Sequence, residues 1–148
     1  MYNAIINLHV WSSAIFVLVA IIVCIKSING IFNKKSYTIL NTRLEITFIV
    51  LLYIGLILGI ILYFFLNFQN EQKMLTLEEA RENAEQEFWA IEHFCTMLIS
   101  LIFAQIGKIF TGKKIPAINK FKYAAFYYGI ATLITFISTG MYILHKYN

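Results

Sequence analysis

Charge is what this sequence is shortest of. Asp, Glu, Lys and Arg make up 14% of its 148 residues, against about a quarter in a water-soluble domain. With 59% hydrophobic residues beside that shortage, the chain has too much apolar surface for an ordinary soluble core, and a soluble fold is excluded. Proline is scarce as well. Pro116 is the single one, so long stretches carry no proline to break a helix. Two cysteines, Cys24 and Cys95, are too few for a disulfide framework. They fall in opposite halves of the expected bilayer, and both read as packing residues, since a buried free Cys behaves as a small hydrophobe. No Lys or Arg precedes the first apolar run and no small-residue cleavage site closes it, so that run is expected to stay in the mature protein.

What is present is apolar length. Four runs, at about 4–25, 44–66, 88–107 and 121–144, each approach the roughly 20 residues that cross a hydrocarbon layer. They predict one all-α integral membrane domain over residues 1–148, an up-down four-helix transmembrane bundle. Charge sorts by segment. Lys26, Lys34, Lys35 and Arg43 give residues 26–43 a net +4, and Lys108, Lys113, Lys114, Lys120 and Lys122 give residues 108–122 a net +5. Residues 68–87 hold six Glu against Lys73 and Arg81, a net −4. Basic loops stay in the cytoplasm, which puts both termini and the acidic segment outside. The lipid bilayer, with its anionic headgroups, is the partner this distribution implies. Nucleic acid is not, because the lysines are split between two short loops with no recognition module.

Local signals refine the picture. Thr76-Leu77-Glu78-Glu79 is a capping box, and no Gly or Pro lies between Thr76 and Ile106. One helix is therefore expected from about Leu77 to about Phe110, extended out of the membrane at its start. Its glutamates read as a solvated face or as a dock for a basic partner. Ser27, Asn29, Gly30, Asn33 and Ser36 read as a loop. Gly112 suits the end of the third helix and Pro116 the start of the fourth. Gly55 and Gly59 form a G-x-x-x-G pair that favours close helix approach, within the bundle or between copies. Glu45 reads as a snorkelling or capped residue at the inner end of the second run.

Ionisable groups inside a span are costly and ask for a reason. His9 and His93 each lie about 6 residues below the outer end of their runs, so their depths agree to within a turn. Two imidazoles level with one another on different helices of a bundle suit the axial pair of a b-type haem. They suit equally a pair of hydrogen-bonding wedges at an interface. There is no Cys-x-x-Cys-His for covalent haem attachment and no Glu-x-x-His pair for di-iron. Glu92 precedes His93 directly and should point about 100° away from it on a helix. His145 reads as a solvated terminal residue.

The stretches Leu8-His9-Val10-Trp11, Leu58-Gly59-Ile60-Ile61-Leu62-Tyr63-Phe64, Phe88-Trp89-Ala90-Ile91-Glu92-His93, Met97-Leu98-Ile99 and Phe126-Tyr127-Tyr128-Gly129-Ile130-Ala131 carry a resemblance along nearly the whole chain. They resemble a family of small four-span bacterial membrane proteins labelled cytochrome B. The resemblance implies electron transfer in a bacterial inner membrane, haem b held by His9 and His93, and a quinone or a larger membrane complex as partner. Glu92 would then orient its neighbour or carry a proton near a quinone. The chain departs from the family pattern at three places. Tyr53 and Lys108 stand where histidines are expected, and Ala14-Ile15 where an Arg-Tyr pair is. Only the outer histidines remain, which fits one outer haem or a haem-free accessory subunit of a larger complex. A transporter or channel fits less well, because no run is broken by Gly or Pro at mid-depth. Whether the chain catalyses a reaction stays open at this stage.

Overall fold

Each apolar run becomes a helix, because within hydrocarbon only a helix satisfies its own backbone. The structure, a computed structural model, describes residues 2–66 and 88–147. Helix α1 covers Tyr2–Phe32. Helix α2 covers Ile39–Ile60 and runs on through a π-helical turn, Ile61–Leu66. A second π-helical stretch, Phe88–His93, leads into α3, Phe94–Thr111. Helix α4 covers Ala117–Tyr147. The capping box at Thr76 and the outward extension expected before Phe88 lie outside the described residues. Packing runs α1–α2, α2–α3, α3–α4 and α4–α1, which leaves α1 and α3 across a diagonal. Asn3–Phe32, Ile39–Tyr63 and Ile91–Thr111 are long and apolar enough to cross a bilayer.

The loop expected over residues 27–41 is mostly helix. Helix α1 continues to Phe32, and the true turn is short, with Lys34 at positive φ. Two contacts override the turn-forming residues. Ser27 donates to the Val23 carbonyl at 2.7 Å, within the helix's own ladder. Gly30 lets α4 come close, since a Cβ there would sit 2.4 Å from the Phe121 ring.

The interior joins small residues to a short aromatic stack. Phe16 meets Phe48 edge to face at 4.9 Å, and Phe48 meets Tyr128 at 5.1 Å, the offset geometry such rings favour. Ala20, Ala104, Ala124 and Ala131 around them are buried. Helix α4 turns Thr132, Thr135 and Ser138 inward, while Leu18, Ile57, Ile102 and Leu133 face outward. Apolar outside and small or hydroxylated inside is the pattern of helices that associate in lipid.

Gly107 sets the closeness of α3 and α4. A Cβ there would stand 2.8 Å from the Cβ of Tyr127, an atom fixed to its backbone. Gly107→Ala should push the two helices apart and lower stability by about 1–3 kcal/mol. Thermal unfolding in detergent reads this, with Gly129→Ala, whose Cβ meets open space, expected to leave the midpoint unchanged.

Candidate functional site

Among the described residues, the end of the bundle where α2 finishes and α3 begins is where the backbone departs from regular α-helix. The π-helical turns Ile61–Leu66 and Phe88–His93 both lie there, and such turns are rare and concentrate at functional sites. The second differs from the straight α-helix the sequence suggests, and it ends on His93. That ring is half-buried, beside the buried Phe88 ring at 5.9 Å. Its Nδ1 lies 3.1 Å from Ser138 Oγ on α4. Ser138 is itself held by Thr96, whose hydroxyl donates to Ser138 Oγ at 2.9 Å. The contact thus fixes the plane of the imidazole through two further side chains.

His9 comes from α1. Its side chain is half-buried, and its Nδ1 is fully buried with no hydrogen-bond partner among the described residues. A buried polar atom without a partner is costly and needs an explanation. The ring lies against α2, next to the Gly55 backbone and 3.9 Å from where a Gly59 Cβ would be. The G-x-x-x-G pair therefore borders an imidazole inside the bundle. Ser12 and Ser13 donate to the His9 carbonyl at 2.9 and 2.8 Å. His9 near the start of α1 and His93 at the head of α3 lie at the same end of the bundle. Glu92 is exposed, turned away from the half-buried His93 ring beside it. Among the described residues no three His, Cys, Asp or Glu side chains converge. A site here has two imidazole donors and no carboxylate or thiolate cage.

A second polar cluster lies at the opposite end of the bundle, where the sequence suggests only a snorkelling or capped Glu45. Glu45 is 1% exposed. Its Oε2 accepts from Lys108 Nζ at 2.9 Å and from Thr111 Oγ1 at 3.0 Å, and its Oε1 accepts from the Tyr37 hydroxyl. Burial, together with the Glu45 carboxylate, pushes the Tyr37 phenol above its ordinary range. The Tyr128 hydroxyl is buried nearby without a partner among the described residues. One turn to two turns further out, Gln105 Nε2 donates to the Tyr53 hydroxyl at 2.9 Å, again between α3 and α2. Tyr53 and Lys108, two of the departures from the cytochrome B pattern, are thus both engaged across the same helix pair. The signal available in the sequence was a lone carboxylate and a lone ammonium, each at the inner end of its run.

Compared with family models, with curated proteins and with solved structures, the chain matches none.

Proposed function

We propose that this chain is an electron-transfer subunit of a bacterial inner membrane, holding one b-type haem between His9 and His93 near its outer face. In this reading α4 is the fourth span of an up-down bundle, both termini are outside, and the two basic loops are cytoplasmic. One observation carries the reading. His9 near the start of α1 and His93 at the head of α3 sit at the same end of the bundle, and His9 has a buried nitrogen with no partner among the described residues.

The surrounding residues suit a flat group held on its axis. A metal-bound histidine usually gives its other ring N–H to a neighbour that fixes its orientation, and Ser138 stands in that position for His93. On the α2 side a Cβ at Gly55 would meet open space and one at Gly59 only the edge of His9, so neither glycine position crowds the ring. When bound, haem supplies a one-electron iron couple. The chain's own residues orient the two rings, keep their edges dry through Phe88, and offer Glu92 as a proton-holding group on the exposed side. The electron partner is a quinone or a larger membrane complex.

The inner end does not suit a second haem, because Tyr53 and Lys108 are already paired with Gln105 and Glu45. That same observation favours a second reading, a haem-free accessory subunit stiffened by these cross-links. The absorption spectrum of protein purified from haem-sufficient cells separates the two. A Soret band with α and β bands on reduction is expected, and a featureless visible spectrum overturns the haem reading.

A further inference from the structure

The rim at the Glu45 end of the bundle carries cations that no carboxylate among the described residues neutralises. Lys26, near the end of α1, lines a cleft with Ser27, Tyr37, Asn41, Glu45 and Phe121. The only carboxylate there is Glu45, already taken by Lys108, Thr111 and Tyr37. Among the described residues Lys26 has no ion-pair partner. Lys120 stands over the face of Tyr37, 5.6 Å from the ring centroid, so a second uncompensated ammonium flanks the same cleft. No acidic residue occurs in residues 27–44 or 108–122, and Lys34, Lys35, Lys113, Lys114 and Lys122 add to the charge of that rim. Like charges gathered at the edge of a low-dielectric body repel unless an anion joins them.

We propose that this rim seats one acidic phospholipid of the bilayer, its phosphate held by Lys26 and Lys120 over the mouth of the cleft. The cleft itself has a volume of about 10 Å³, room for one water, so the headgroup lies across it and does not enter. Asn41 offers an amide donor at the same mouth, since its one contact, to Thr38 Oγ1, is long at 3.4 Å. Below the rim α1 turns Ile25 to the outside, 59% exposed, which gives an acyl chain an apolar wall. A lipid phosphate arrives with that chain attached, and a free phosphate does not. Basic pockets between helices on the cytoplasmic side are where acidic headgroups bind. The seat is independent of any redox role at the other end.

Native mass spectrometry of the full chain, released from detergent with phosphatidylglycerol or phosphatidylcholine added, tests it. Wild-type protein should retain one phosphatidylglycerol in clear preference to phosphatidylcholine. Lys26→Ala and Lys120→Ala should each weaken that preference by about fivefold, and Lys26→Arg should keep it. Lys34→Ala, on the outer part of the rim, should change it by much less. The proposal fails if the wild type shows no preference, if Lys26→Ala retains it, or if Lys34→Ala costs as much as Lys26→Ala. It fails too if inorganic phosphate at the lipid's concentration displaces the bound lipid. Far-UV circular dichroism on each variant confirms that a loss is not unfolding.

Discussion

Glu45→Ala is expected to destabilise the bundle by about 3–5 kcal/mol, the usual cost of removing one member of a buried ion pair. The glutamate is the sole acceptor shown for the Lys108 ammonium and the Tyr37 hydroxyl, and one of two for Thr111. Without it, the Lys108 ammonium and the Tyr37 hydroxyl lose their acceptor, while Thr111 keeps the Lys108 carbonyl. Lys108 is 26% exposed along its side chain while Glu45 is 2% exposed, so the lysine can swing partly toward water and the loss should fall at the lower end of that range. Glu45→Gln should cost less, since its amide oxygen still accepts. Replacing both partners by leucine should recover most of the loss, because two apolar groups of similar size leave no uncompensated charge. Thermal unfolding in detergent, followed by circular dichroism, reads all three. Equal midpoints for wild type and Glu45→Ala would mean that the pair contributes no net stability.

On the proposed haem reading, His93→Ala should remove the haem bands altogether, and His9→Ala should do the same. His9 and His93 are the two residues that would hold the haem, so either loss should weaken its binding, whereas His145→Ala should leave the spectrum intact. Ser138→Ala is the finer test. It keeps both ligands and removes the contact that orients His93, and losing such a partner typically costs 10–100-fold in metal affinity. Haem titration into protein stripped of its cofactor measures this. Haem retained at full occupancy in His93→Ala would show that the imidazoles are not the ligands. The helical signal should be unchanged in every one of these variants.

Much of this architecture is legible in the sequence, and the reasons are physical. Runs of about 20 apolar residues without proline have no option in lipid except helix, so the all-helical fold follows from composition alone. Three of the helices are long and apolar enough to span. The length of α1 was not legible. Asn29 and Gly30 look like turn formers by local preference, and only the approach of Phe121 from a distant part of the chain explains why they stay helical. His9 and His93 could be placed at the same end of their runs beforehand, because depth can be counted along each run. Ser138 could not be singled out among the hydroxyls of α4, since its meaning lies in facing His93. Glu45 and Lys108 are 63 residues apart, and their pairing depends on how α2 and α3 register against one another, which no local pattern encodes.

Helices α1 and α4 are each 31 residues long, about 46 Å at 1.5 Å per residue, while the hydrocarbon layer is about 30 Å thick. Gly30 and Phe121 clasp the two at one end. In the proposed four-span arrangement, neither leans on its own when a bilayer thins, and the two tilt together. Hydrophobic mismatch would therefore be absorbed by a joint inclination of α1 and α4 and not by a kink, so lipid chain length becomes a variable that changes the angle of the whole bundle.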